Sequence, residues 1–191
     1  MLASLERRLV VVSLLTPERY FARISRISIA KDICALGFTH VLLDVDNTVL
    51  SRQSHDVPRD VRLWLSQARN AGLSLCLVSN NWHSNVHSIA DELSIPIVGK
   101  ALKPLPHGFM AARGKIGARS ATTLVIGDQI ATDILGAHML GMKAYLVCPL
   151  VEQDLWHTQM LRSLEHTMLG ERTPEGALSA GDNAVRSEDI H

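Results

Sequence analysis

The sequence lacks an excess of charge of either sign, and it is poor in cysteine and in long apolar runs. Its 191 residues hold 19 Lys or Arg against 19 Asp or Glu, so no overall basic field favours a nucleic acid as partner. Its three cysteines, Cys34, Cys76 and Cys148, are far apart and form no CxxC pair, which is typical of reduced thiols in a cytosolic protein. The apolar run from Leu9 to Leu15 is too short to span a bilayer, and no small-residue cleavage site follows it. These features predict a cytoplasmic protein rather than a secreted or membrane-spanning one.

The pattern that is present is an alternation of short apolar runs with helical periodicities. With 47% hydrophobic and 20% charged residues, the chain suits one globular domain with a sizeable core. Strand-like runs that alternate with helices are typical of an α/β fold, in which helices cover both faces of a mainly parallel sheet. Five strands are predicted, at 39–45, 73–78, 95–98, 122–126 and 143–147, with helices at 58–71, 83–93, 106–116 and 130–140.

Four regions are predicted along the chain. Residues 1–30 form a helical lead-in, 31–150 the main domain, 151–169 a C-terminal helix and 170–191 a polar, disordered tail. The start is basic, because residues 1–31 hold six Lys or Arg and two Glu, a net charge of plus four. Such a segment suits contact with an anionic surface, either a membrane or a substrate headgroup, although a solvated helix face explains the same charges.

The most informative stretch is DVDNT, which sets Asp44 and Asp46 at the end of an apolar run. Both carboxylates should emerge at the carboxyl end of a buried strand, where open α/β sheets place their ligands. A lone Asp there is ordinarily a turn former, but a doublet followed by Asn47 and Thr48 is typical of a catalytic pair.

Three further segments follow other predicted strands. SNN, which begins at Ser79 and Asn80, offers a hydroxyl and N–H groups that suit phosphate oxygens. Lys103 follows a short strand, in the segment KP. GDQIATD holds Asp128 and Asp133 across the start of a helix, and acids this close favour a divalent cation such as Mg²⁺. Neither GxxxxGKS/T nor GxGxxG occurs, so a nucleotide-binding fold lacks its loop.

In order and spacing, the segments DVDNT, SNN, KP and GDQIATD resemble the haloacid dehalogenase (HAD) superfamily of phosphatases. The residues of these segments are most similar to those of the YqeG-like group of subfamily IIIA. The resemblance implies a Rossmann-like three-layer sandwich and a Mg²⁺-dependent phosphomonoester hydrolase that acts through an aspartyl-phosphate intermediate. Asp44 is then the nucleophile, and Asp46 protonates the leaving oxygen and afterwards activates water. Ser79, Asn80 and Lys103 would hold the phosphoryl group.

The same resemblance implies a magnesium site and two supporting residues. Asp44, Asp128 and the main-chain carbonyl of Asp46 would hold Mg²⁺. Thr48 would support the nucleophile segment, and Asp133 would orient Lys103 or a metal-bound water. The adjacent acid/base separates a phosphatase from a receiver domain, which keeps its phosphoaspartate.

The gaps between the segments bear on the substrate. Thirty residues lie between Thr48 and Ser79 and twenty-one between Asn81 and Lys103, so neither gap holds a cap domain. Relatives of the group include a mitochondrial phosphatidylglycerophosphate phosphatase, which favours a lipid headgroup phosphate and a peripheral place at the membrane. Two alternatives stay open: a phosphatase of soluble sugar or nucleotide phosphates covered by homo-oligomerisation, and a non-catalytic binding module that keeps the fold.

Overall fold

The computed structural model describes residues 12–81, 84–150, 169 and 172–177. These residues form one open sheet of six strands in the order β1-β6-β5-β2-β3-β4. Every neighbouring pair is parallel. The strands are β1 (Arg19–Phe21), β2 (His40–Asp44), β3 (Ser74–Val78), β4 (Ile97–Val98), β5 (Thr123–Gly127) and β6 (Lys143–Val147).

Helices cover both faces of the sheet. On one face lie α1 (Arg59–Asn70) and α2 (Ser84–Leu93), and on the other α3 (Pro106–Lys115) and α4 (Leu135–Met139), which a π-helical turn at Ile130–Ile134 precedes. The predicted α/β sandwich with a parallel sheet is confirmed.

The central strands have apolar middle residues, and both of their faces are buried. In β2, Val41 and Leu43 join the core under α1 and α2, whereas Leu42 between them joins the core under α3 and α4. This alternation is what a period of two residues produces in a strand covered on both sides. It leaves Asp44, the last residue of β2, as a carboxylate in an apolar setting.

The structure has one strand more than the five predicted. β1 lies within the region predicted as a helical lead-in and pairs with β6 at the edge of the sheet. Three residues are too short to show a period, and tertiary contacts hold them: the Phe21 and Tyr145 rings lie 5.5 Å apart, and the Arg19 guanidinium lies 4.5 Å from the Phe21 ring centre.

The chain end also differs from its prediction where it is described. Residues 172–177 fall in the predicted disordered tail, yet Glu175 bridges to Phe21 in parallel fashion, and its carboxylate accepts hydrogen bonds from Arg19. Most of the predicted helix at 151–169 and the rest of the tail lie outside the described residues. Within the described ranges, no helix has the length and apolar character to cross a bilayer.

Candidate active site

Three strand ends meet at the carboxyl edge of the sheet. Asp44 ends β2, Ser79 follows β3, and Asp128 follows β5. β2 lies between β3 and β5, and Asp44 is in register with Val78. Neighbouring parallel strands therefore bring these side chains to one edge, as the sequence pattern predicts.

Lys103 lies at the centre of this group. Its ammonium donates to Asp44 Oδ1 and, at 2.7 Å, to Asp133 Oδ1. All three side chains are buried. Because unpaired charges are costly in such a setting, each group depends on the others for its ionised state.

The loop that carries Lys103 is anchored to the segment after β3. Asn80 accepts a hydrogen bond from the Lys103 N–H at 2.7 Å and donates one to the Lys103 carbonyl at 3.1 Å. The Ala101 N–H also donates to the Ser79 carbonyl, at 3.0 Å. The side-chain amide of Asn80 therefore binds Lys103 through both its oxygen and its nitrogen. The predicted phosphate contact of Asn80 then falls to its main-chain N–H.

Three carboxylates converge beside Lys103. One oxygen from each of Asp44, Asp128 and Asp133 lies within 4.8 Å of the others. Asp133 is fully engaged, because Oδ1 accepts from Lys103 and Oδ2 accepts from the Gln129 N–H at 3.2 Å. Asp44 Oδ2 and Asp128 Oδ1, by contrast, are buried and have no hydrogen-bond partner among the described residues. An oxygen-only donor set with two unsatisfied carboxylate oxygens fits Mg²⁺.

Burial shapes the ionisation of this cluster. It raises the pKa of Asp44 to about 7, against the opposing pull of the Lys103 ammonium. Burial, followed by repulsion from Asp44 and Asp133, raises the pKa of Asp128 well above its usual value. For Lys103, burial alone would lower the pKa, but the charges of Asp133 and Asp44 outweigh it and the pKa lies above its usual value. Three acids around one lysine thus leave a deficit of positive charge that a divalent cation would fill.

Asp46 stands apart from the three-carboxylate cluster. Ser79 Oγ donates to Asp46 Oδ2 at 3.2 Å, and Arg52 Nε lies 3.6 Å from Asp46 Oδ1. The predicted metal role of Asp46 concerns its main-chain carbonyl, so the side chain is available for proton transfer.

The two remaining predicted residues are also buried. Ser79 Oγ accepts a hydrogen bond from the Asn81 N–H at 3.0 Å. Thr48 Oγ1 has no hydrogen-bond partner among the described residues. The predicted site residues therefore lie at the ends of β2, β3 and β5, in the segments that follow these strands, or in the loop that carries Lys103.

Sequence reasoning missed Arg52 altogether, and it assigned Gly127 to a tight turn without the close contact that the structure shows. A Cβ on Gly127 would lie 2.4 Å from Asp133 Cγ, so only glycine lets Asp133 approach the end of β5. Arg52 lies in the turn between β2 and α1, where a single arginine gives no sequence signal. That connection, residues 45–58, contains a bridge between Asp46 and Leu50.

Comparisons with known proteins agree with the motif pattern. A family model described as HAD-hydrolase-like matches residues 101–149. A protein of Bacillus subtilis (strain 168) named "Probable phosphatase YqeG" is 30% identical over 129 residues, which are 68% of this chain and 75% of that protein.

Two solved structures are loosely similar. The cobalt-bound deoxy-D-mannose-octulosonate 8-phosphate phosphatase of Haemophilus influenzae is 11% identical with a TM-score of 0.48, covering 70% of this chain and 88% of that one. An uncharacterized protein of Listeria monocytogenes serotype 4b is 18% identical with a TM-score of 0.49, covering 62% and 85%. Neither likeness is close enough to inform the site.

Proposed function

Since the chain belongs to the YqeG-like group of HAD-superfamily phosphatases, and is thus a phosphoric monoester hydrolase, we propose that it hydrolyses its ester through a phosphoaspartate on Asp44. Two buried carboxylates, Asp44 and Asp128, each present an oxygen with no partner among the described residues, beside a lysine. That arrangement is the observation that carries the proposal, because phosphoryl transfer depends mainly on positioning and on charge neutralisation.

In the first step, an Asp44 carboxylate oxygen attacks phosphorus and the bond from phosphorus to the ester oxygen breaks. Asp46 gives its proton to the leaving oxygen, which departs as the alcohol. Lys103 and Ser79 hold the equatorial phosphoryl oxygens. The hydrogen bond from Ser79 to Asp46 supports these roles, since it keeps the proposed acid/base next to the proposed phosphate-binding hydroxyl.

In the second step, Asp46 accepts a proton from water as the water oxygen attacks phosphorus. The bond between phosphorus and Asp44 breaks, inorganic phosphate leaves, and Asp44 is again a carboxylate. Asp46 ends as the acid, ready for the next ester. Covalent catalysis of this kind divides one difficult displacement into two easier ones.

Asp44, Asp128 and the Asp46 carbonyl are the proposed ligands of Mg²⁺. The ion, when bound, would offset the negative charge of phosphate and carboxylates as they converge. Asp133 is better suited to positioning Lys103 than to ligating metal, because both of its oxygens already accept hydrogen bonds. Thr48, which is buried two residues after Asp46, is the remaining proposed supporting residue.

A lipid headgroup phosphate, such as that of phosphatidylglycerophosphate, is the proposed substrate class. Two features support it: the short connection at 45–58 leaves the site without a cap, and residues 1–31 carry a net charge of plus four. A large or membrane-bound ester needs an uncovered site, whereas a small soluble ester gains from enclosure.

The test is hydrolysis of 4-nitrophenyl phosphate with MgCl₂ and with EDTA. We expect activity to need Mg²⁺ and to fall about 10³-fold or more in Asp44→Asn and in Asp46→Asn. Asp91→Asn, an exposed acid on α2, is the matched control and should keep wild-type rates. Equal rates for Asp44→Asn and wild type would exclude Asp44 as nucleophile. A panel of micellar phosphatidylglycerophosphate and soluble sugar phosphates then decides the substrate class.

A further inference from the structure

Asp46 has a different partner on each of its carboxylate oxygens. Ser79 Oγ donates to Asp46 Oδ2 at 3.2 Å, and the same hydroxyl oxygen accepts from the Asn81 N–H at 3.0 Å. The other oxygen, Oδ1, faces the guanidinium of Arg52, whose Nε lies 3.6 Å away. That distance suits an ion pair but is too long for a hydrogen bond. Oδ1 is therefore the Asp46 oxygen that lies beside a positive charge and is left to exchange a proton with an ester.

The chain brings Arg52 back to Asp46 through a tight turn. Asp46 and Leu50 form a bridge, and the Asn47 N–H donates to the Leu50 carbonyl at 2.7 Å. Asn47 has a φ of 62°, in the left-handed region that asparagine tolerates better than most residues. Its side-chain Oδ1 accepts from the Arg52 N–H at 3.4 Å, and its carbonyl accepts from the Leu150 N–H at 2.9 Å. These bonds place Arg52 without using its side chain.

Exposure increases from the proposed nucleophile outward. The side chain of Asp44 is 7% exposed, that of Asp46 14% and that of Arg52 40%. The attacking and leaving oxygens of a phosphoryl transfer stand roughly in line on opposite sides of phosphorus. An ester that the deeper Asp44 attacks therefore sends its leaving oxygen toward the solvent side, to which the more exposed Asp46 and Arg52 are suited.

Stability gives little reason for an arginine at this position. An exposed ion pair contributes little to folding, because water solvates both charges and a long side chain must be ordered to form it. At 3.6 Å the pair also lacks the hydrogen bond that would strengthen it. An uncharged polar residue would suit the turn equally well, since the Arg52 main chain makes the bond to Asn47. The feature to be explained is the charge itself, which lies beside the proposed acid/base.

We propose that Arg52 is a positioning residue for Asp46: its guanidinium orients Oδ1 toward the leaving oxygen and offsets the negative charge that Asp46 gains as its proton leaves. In the first step of turnover, the bond between phosphorus and the ester oxygen breaks, its electron pair stays on that oxygen, and the Asp46 proton moves to it. Arg52 keeps its own protons throughout. The inference rests on the proposed function, since it concerns the leaving-group side of the same reaction.

The test compares two esters that differ in their need for a proton. 4-Nitrophenyl phosphate releases a stable phenolate, whereas phenyl phosphate has the poorer leaving group and gains more from a general acid. The quantity measured is kcat/KM, because it reports the steps up to formation of the phosphoaspartate and excludes its hydrolysis.

The variant is Arg52→Gln, and the matched control is Arg23→Gln. The Arg23 side chain is also 40% exposed, and its ion pair is with Asp60 on α1. Circular-dichroism melting checks that both variants fold.

We expect Arg52→Gln to lower kcat/KM at least about tenfold for phenyl phosphate and less than about threefold for 4-nitrophenyl phosphate. Arg23→Gln should keep wild-type values for both esters. A loss that is equal for the two esters, or greater for 4-nitrophenyl phosphate, would overturn the proposal, because an arginine that only supports the fold or binds the phosphoryl group affects both esters alike. No loss with either ester would overturn it as well.

A double variant tests whether Arg52 acts through Asp46. In Asp46→Asn no carboxyl proton remains to be given, so adding Arg52→Gln should lower kcat/KM for phenyl phosphate by less than about twofold. A further loss of about tenfold would mean that Arg52 acts on the ester independently of Asp46, and the inference would be wrong.

The same measurements separate this inference from the proposed function. If wild type hydrolyses both esters and Asp44→Asn does not, but Arg52→Gln loses equally with the two esters, the hydrolase stands and the role of Arg52 is wrong. If wild type hydrolyses neither ester with Mg²⁺, the proposed function is wrong, and so is the inference that rests on it.

Discussion

Gly127→Ala offers a sharp test of how Lys103 is positioned. The new Cβ would lie 2.4 Å from Asp133 Cγ and Oδ2, and real Cβ contacts are almost never shorter than 3.0 Å, so the carboxylate must move by at least about 0.6 Å. A shift of that size disrupts the 2.7 Å bond from Lys103 to Asp133 and the 3.2 Å bond from the Gln129 N–H. Overpacking of this kind costs about 1–3 kcal/mol of unfolding free energy.

The functional effect should be larger than the structural one. A misplacement of about 1 Å in a catalytic group can cost about 100-fold in rate, so we expect kcat/KM to fall about 10- to 100-fold. The loss should lie mainly in kcat, because the proposed mechanism has Lys103 acting on the phosphoryl group during transfer. Steady-state kinetics with 4-nitrophenyl phosphate and urea unfolding measure the two effects separately.

Gly114→Ala is the matched control. Gly114 is in α3, and no atom lies within 4 Å of the Cβ that alanine would add. Alanine in a helix is favoured over glycine by about 0.8–1 kcal/mol, so this variant should be slightly more stable and fully active. If Gly127→Ala loses stability but keeps wild-type kcat/KM, the claim that Asp133 positions Lys103 is refuted.

Two further predictions concern pH and metal. Burial alone would raise the pKa of Glu18, but hydrogen bonds from His138 and the Ala144 N–H hold it at about 2, below its usual 4.5. These hydrogen bonds therefore stabilise the fold above pH 4.5, and the stabilisation is lost as the pH falls towards 2. Glu18→Gln should lower the unfolding free energy by about 1 kcal/mol at pH 7 and by less at pH 3. An equal difference in urea unfolding at both pH values would contradict this. MgCl₂ at about 100 times its Kd should stabilise the wild type by about 2.7 kcal/mol in thermal unfolding. It should have little effect on Asp128→Asn, because one of the two unsatisfied carboxylates is then gone. Equal stabilisation of wild type and Asp128→Asn by MgCl₂ would exclude Asp128 as a ligand.

The sequence predicted the site best where reactive side chains directly follow predicted strands. Asp44 and Asp128 could be assigned to the carboxyl edge of the sheet because apolar runs predict the strands before them, and parallel strands have their carboxyl ends at the same edge. The family resemblance added what spacing alone cannot supply, namely which carboxylate attacks and which transfers a proton. The predicted fold class and phosphatase assignment are confirmed by the sheet and by the Bacillus relative.

What the sequence could not predict depends on contacts between distant residues. β1 is only three residues long, and its order comes from Tyr145 and Glu175, more than a hundred residues away. The family resemblance left Asp133 with either Lys103 or a metal-bound water as its partner, and the pairing with Lys103 is seen only in the folded chain. The close approach of Asp133 to Gly127 is likewise a fact of packing. Local periodicity carries none of this information.

The central claim is that Asp44 carries the phosphoryl group during turnover. The most direct measurement is an acid quench of Asp46→Asn after incubation with a radiolabelled phosphate ester and Mg²⁺, followed by peptide mapping. Loss of the acid/base slows hydrolysis of the acyl phosphate, so we predict label on the peptide that contains Asp44 and none in a variant that also carries Asp44→Asn. Phosphate release by wild type without any labelled enzyme in Asp46→Asn, or label on a different peptide, would contradict the account.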